Sequence, residues 1–81
     1  MENRRGTYMD IKETVGKRIK YLRNQIGISQ EELADRAGID RTYITSVECG
    51  KRNISIVNVE KIANALGVTL SKLFDFENKI S

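Results

Sequence analysis

From Asp40 to Arg52 the chain reads DRTYITSVECGKR, which surrounds two strongly apolar residues, Ile44 and Val47, with one arginine and four hydroxyl side chains: Thr42, Tyr43, Thr45 and Ser46. Cys49 and Gly50 then lead to two cations, Lys51 and Arg52. Such groups donate and accept hydrogen bonds in many directions, so their chemistry is recognition rather than bond making. A guanidinium donates from a rigid planar fork and suits paired acceptors on an anion or a flat edge.

The remaining composition argues the same way. There is no histidine and one cysteine in 81 residues, which excludes the usual zinc sites, an internal disulfide framework and most nucleophile–base pairs. Adjacent carboxylates such as Glu31 and Glu32 would do acid–base work only in a cleft, which a helical domain of this size seldom has. The expectation is a protein that is not an enzyme and needs no metal, cofactor or small-molecule substrate.

Forty per cent hydrophobic and 31 per cent charged residues describe one small globular domain with a modest core, for which dimerisation is a source of added stability. No apolar run approaches the ~20 residues of a membrane span. The opening MENRRGTYMD lacks the apolar stretch of a signal peptide. A cytoplasmic protein without a membrane partner is expected. The net charge of +3 and pI near 9.2 point to a polyanionic partner. Residues 1–28 carry seven cations against three acids, and residues 50–81 five against three. Residues 29–49 carry two against five, a negative dip inside the stretch that matters most. Glu31, Glu32 and Asp35 account for much of it, in or near a helix start where acids suit the dipole.

Five helices are expected to position these groups, near 10–26, 29–37, 40–49, 55–66 and 69–75. Apolar residues recur at Ile11, Val15, Ile19, Leu22 and Ile26, one stripe of an amphipathic helix. Asp10, Ser29, Asp40, Ser55 and Thr69 are candidate N-caps, and Ser29 with Glu32 forms a capping box. Ile28, Ile39, Ile54 and Val68 precede four of these caps and can staple to Leu33, Ile44, Val59 and Leu73. Gly27, Gly38, Gly50 and Gly67 stand where left-handed stops belong. Gly16, inside the first helix, implies a close approach by another element. Residues 1–9 are expected to be a flexible N-terminal tail, from which Arg4 and Arg5 would reach a minor groove if they act at all.

Only Gly38 and Ile39 separate helices two and three, so the two must cross steeply, as in a helix-turn-helix. Ile44 and Val47 then fasten helix three by one narrow seam, and its short polar side chains suit a DNA major groove. Arg41, at the helix start, is placed to pair with guanine O6 and N7, worth about 1–3 kcal/mol of discrimination. Thr42 and Ser46 are short enough for base edges or thymine methyls, while Tyr43 and Thr45 suit bases or the sugar–phosphate wall.

The run SQEELADRAGIDRTYITSVECGKR resembles the Cro and phage-repressor type of helix-turn-helix family, and the all-α, five-helix layout matches it over about residues 10–76. DRTYI followed by GKRNIS is most similar to the controller proteins of restriction–modification systems. The resemblance implies a sequence-specific regulator bound to double-stranded operator DNA. It implies that Gln30 grips a phosphate and sometimes a base, and that Arg41, Thr42 and Ser46 read bases beside a shared Tyr43. It further implies that Lys51, Arg52 and Asn53 run along the backbone and that Arg23 and Glu48 form a buried ion pair. Cys49 and Asp40 depart from the family pattern.

A lone recognition helix reads few base pairs, so residues 10–81 are expected to form one DNA-binding and dimerisation domain that acts as a homodimer on a symmetric operator. The apolar residues left for the interface are Leu66, Val68, Leu70, Leu73, Phe74, Phe76 and Ile80. RNA polymerase is the further partner that activation would need. A phage-type repressor or an antitoxin would share this DNA chemistry, whereas a protein-interaction module would leave helix three idle.

Overall fold

The structure is a computed structural model that describes residues 10–76. The expected tail, Arg4, Arg5 and Ile80 lie outside the described residues. Five α-helices follow in order, α1 Ile11–Gln25, α2 Gln30–Ala37, α3 Arg41–Glu48, α4 Ile56–Leu66 and α5 Leu70–Leu73, with no strand among the described residues. No helix of the described residues is long and apolar enough to cross a membrane.

The helix ends are built by local chemistry. Asp10, Ser29, Ser55 and Thr69 accept backbone N–H groups of Lys12, Glu32, Asn58 and Lys72, each relieving a donor with no intrahelical partner. Four helices stop by one device. At Gly38, with φ +68°, the Ile39 N–H reaches back to the Ala34 carbonyl while the glycine N–H bonds Asp35. The same pair of bonds closes α1, α3 and α4 at Gly27, Gly50 and Gly67, and their left-handed backbone favours glycine. Asp40 is a correction. It takes the cap position of α3 but makes no side-chain cap bond, and the Tyr43 N–H is bonded instead to the Asp40 carbonyl at 3.0 Å.

One apolar core runs through all five helices. Ile19, Leu33, Ile44, Val47, Ile62 and Leu73 are its largest fully buried side chains, each worth about 1.5–3 kcal/mol of transfer free energy. Ile28, Ile39, Ile54 and Val68, the residues before the caps, pack against this core. The α1 stripe is narrower than its spacing suggests. Val15, Ile19 and Leu22 are buried, whereas Ile11 and Ile26, at the ends of the helix, are exposed. The Glu32 carboxylate, expected to close the capping box, accepts from Arg36 at 2.9 Å.

Gly16 is where α3 lands. A Cβ at this position would strike the Val47 carbonyl oxygen and meet that of Glu48 at 3.2 Å, so the last turn of α3 lies directly on the α1 backbone. Arg18 fastens α5. Its buried guanidinium donates from Nε to the Leu73 carbonyl at 3.2 Å and from Nη2 to that of Lys72 at 2.9 Å, adding side-chain donors to carbonyls at the end of α5.

Candidate nucleic-acid interface

Ile44 and Val47, both buried, pin α3 from below. Its C-terminal turn is held a second time by a buried ion pair. Arg23 donates from Nε to Glu48 Oε2 at 2.7 Å and from Nη2 to Oε1 at 2.9 Å, and its Nη1 reaches the Ile28 carbonyl at 2.8 Å. The hydrogen bond to Glu48, more than the opposing cost of burial, raises the Arg23 pKa above the ordinary arginine value. The forked geometry is the stronger, two-bond form of such a pair.

The remaining α3 side chains divide sharply. Arg41 and Thr42 are exposed and Ser46 is half-buried, and among the described residues none of the three side chains has a hydrogen-bond or ion-pair partner. Tyr43 is half-buried against the core, and its ring carries the Arg52 guanidinium 4.6 Å from the centroid. That cation–π contact couples the first turn of α3 to the loop beyond it. Lys51, Arg52 and Asn53 are exposed on this loop, so Arg41, Lys51 and Arg52 leave three cations unopposed by any carboxylate among the described residues. Cys49 is exposed and free.

Gln30 and Thr45 are used inside the protein. Gln30 Nε2 donates to Glu48 Oε1 at 2.9 Å, and Gln30 Oε1 accepts from the Thr45 hydroxyl at 2.9 Å. The structure thus brings Gln30, at the start of α2, against α3, but the Thr45 hydroxyl reaches no outward partner. Sequence reasoning missed this link because it joins residues whose separation carries no periodic signal.

The apolar residues named for an interface also divide. Leu66 and Leu73, also named for the interface, are buried in the core of the protomer and leave almost no surface for a partner. Val68 and Phe76 are half-buried against the core. Leu70 and Phe74, one turn apart on the outer side of α5, are each 38% exposed. Two further apolar residues, not anticipated, are more open: Ile56 at 69% and Val57 at 58%, both in the first turn of α4.

A helix-turn-helix family model matches residues 19–73. Among curated proteins, the control protein C.MunI of Mycoplasma sp is 52% identical over 66 residues, 80% of this chain and 89% of that one. The solved restriction–modification controller protein C.AhdI from Aeromonas hydrophila superposes with a TM-score of 0.77 at 44% identity, covering 79% of this chain and 97% of that one. The controller protein C.Esp1396I bound to a 19 base pair DNA duplex gives a TM-score of 0.81 at 32% identity, covering 90% of this chain and 99% of that one. C.Esp1396I has also been solved as a tetramer on its natural 35 base-pair operator, where the TM-score is 0.80. With the match spanning more than half of its length, the chain belongs to the Cro and phage-repressor type of helix-turn-helix family.

Proposed function

We propose that this protein is a transcriptional regulator that binds a symmetric double-stranded operator as a homodimer, in the manner of a restriction–modification controller. The observation that carries the reading is the free face of α3. Arg41, Thr42 and Ser46 project from a helix pinned elsewhere, with no partner among the described residues, beside unopposed Lys51 and Arg52. Fork donors and short hydroxyls fit base edges, and the loop cations fit phosphates. Its relative C.Esp1396I, solved on operator DNA, supports duplex DNA as the partner, and Asn53 joins the loop contacts in this reading.

The second copy docks on the exposed apolar residues of the last two helices, Leu70 and Phe74 together with Ile56 and Val57. Removing these from water on association is the driving force. The activity in this reading is binding rather than catalysis, it takes place in the cytoplasm, and it calls on no cofactor. Run-off transcription with and without the protein decides between activation, which needs a contact with RNA polymerase, and repression. A phage-type repressor or an antitoxin would use the same face, and a second protein co-purifying in fixed ratio would favour the antitoxin.

Selection of bound sequences from a pool of random duplexes tests the reading. The expected result is one motif in two inverted copies. Failure to prefer any duplex at low ionic strength rejects it.

A further inference from the structure

We propose that the cavity between α1 and the last two helices binds a small organic carboxylate with an apolar body, held by one edge of the Arg18 guanidinium. This cavity lies apart from the face proposed for DNA. At about 100° per residue, Arg18 stands roughly 200° around α1 from Gly16, where α3 lands. Lys72 is turned by a similar angle from Leu70 on α5, away from the surface proposed for the second copy. Occupancy of the cavity therefore requires neither DNA nor dimerisation.

The cavity holds about 260 Å³, slightly below the ~300–1,000 Å³ usual for ligand pockets, so its occupant is small. Leu22, Leu66 and Val68, with the exposed Ile26, give it apolar walls. Arg18 and Lys72 are its charged lining residues, and no aspartate or glutamate lines it. Arg18 is 3% exposed, and a cation buried with no anion facing it across the cavity is poorly compensated. The planar shape of the guanidinium settles which part of it can act. Nε and Nη2 already donate to the Leu73 and Lys72 carbonyls, which occupies the side edge. The Tyr21 ring lies beside the plane, its centroid 5.5 Å from Cζ. Of the five N–H groups two are used and three remain, both of Nη1 and the second of Nη2, without a partner among the described residues. Neighbouring hydrogens of Nη1 and Nη2 form the end edge, which matches the two oxygens of a carboxylate. Lys72 adds a second attraction from an exposed position. A neutral ligand would fill the apolar walls and leave these donors unmet, and an inorganic anion would do the reverse. A carboxylate on a small apolar body satisfies both.

Phenylacetate is the probe, titrated into the full chain without DNA. Phenylacetamide, which has the same body and no charge, and acetate, which has the charge and no body, are the comparators. Nitrogen-15 NMR follows the Arg18 side-chain Nε–H and the backbone amides of α1 and α5. Phenylacetate is expected to shift the signals of Arg18, Tyr21 and Lys72 saturably, with one dissociation constant on the order of 1 mM. Phenylacetamide should bind about five- to ten-fold more weakly, the difference between a charge-assisted and a neutral hydrogen bond. Acetate should give no saturable shift. Lys72→Gln, a change at an exposed side chain, should weaken phenylacetate about two- to five-fold and leave phenylacetamide unaltered. Equal affinities for phenylacetate and phenylacetamide overturn the proposal, as do saturable shifts that leave Arg18 unmoved. No saturable shift at all overturns it too, and gives the cavity to another part of the chain or to a second copy. Every outcome is read without DNA, so failure here is distinct from failure of the duplex-binding reading.

Discussion

Replacing Gly16 by alanine sets two physical effects against each other. Position 16 lies inside α1, where alanine is favoured over glycine by about 1 kcal/mol. If helix propensity decided, the variant would be the more stable. The structure gives the opposite sign. The new Cβ would strike the Val47 carbonyl oxygen, a backbone atom that cannot rotate aside. Relief requires the last turn of α3 to retreat from α1, which strips contact from Val47 and lengthens Arg23–Glu48 bonds now at 2.7 and 2.9 Å. Overpacking costs about 1–3 kcal/mol, and a collision with backbone belongs at the upper end, about 3 kcal/mol. Subtracting the propensity gain leaves a net loss of about 2 kcal/mol. Against the roughly 4–12 kcal/mol expected for a domain of this length, that is a large fraction. It corresponds to a fall in Tm of about 8–16 °C. Urea unfolding followed by circular dichroism measures it, with the midpoint falling and the slope unchanged. DNA affinity should fall as well, because the displaced turn belongs to the helix proposed to read the duplex. A midpoint equal to or above that of the parent would refute the claim that α3 rests on this glycine.

Arg41→Ala should weaken binding to the selected duplex by about 1–3 kcal/mol and affect random DNA far less; equal losses on both would remove Arg41 from base reading. Lys51→Ala should weaken both alike and reduce the slope of log affinity against log salt by about one, and an unchanged slope would mean no phosphate contact. Glu48→Gln leaves the buried Arg23 charge without its counter-ion and should cost about 3 kcal/mol, the low end for a broken buried pair because the amide oxygen still accepts one bond. Since the Arg23 pKa is raised on folding, its contribution is fully present below the unfolded value and is lost only as pH rises through the folded one. Urea midpoints should therefore show the same Glu48→Gln penalty at pH 5 and pH 9. Phe74→Asp should give a folded monomer by sedimentation equilibrium, and a dimer of undiminished stability would move the interface elsewhere.

The elements were legible because their ends are written in short-range chemistry. A hydroxyl or carboxylate cap, the apolar residue before it and a glycine stop each act within five residues, so spacing alone locates them. Stripe arithmetic has no such end point. Ile11 and Ile26 continue the α1 spacing, and Ile56 precedes Val59 by three, yet all three are exposed, because a helix keeps its period past the edge of whatever it packs on. Asp40 had the residue type of a cap but makes no side-chain cap bond, an outcome of local geometry that composition does not encode. At the candidate site, Arg41, Thr42 and Ser46 were visible from the shortage of apolar neighbours on α3. The Arg23–Glu48 pair was visible only through family resemblance. Thr45 could not be told from Thr42 by type, since its partner comes from another helix. Arg18 is similar, because the carbonyls it holds lie 54 and 55 residues away.

The division of labour on α3 determines how many copies must act. Ile44 and Val47 belong to the core, Glu48 and Thr45 to the bonds with Arg23 and Gln30, and Tyr43 in part to the core and Arg52. In the proposed reading, Arg41, Thr42 and Ser46 remain for base edges. One bidentate guanidinium gives about 1–3 kcal/mol of discrimination. Two single hydroxyl contacts add about 1 kcal/mol each, so one helix discriminates by roughly 3–5 kcal/mol. Operator binding exceeds non-specific binding by about 4–10 kcal/mol, which one α3 barely reaches and two reach comfortably. If the second copy docks as proposed, the apolar residues left open on α4 and α5 are as much a part of sequence reading as α3 itself. A monomeric Phe74→Asp should keep most of its weak affinity for random duplex, carried by cations such as Lys51. It should lose about half of its free energy of discrimination, an outcome that loss of a phosphate contact cannot imitate.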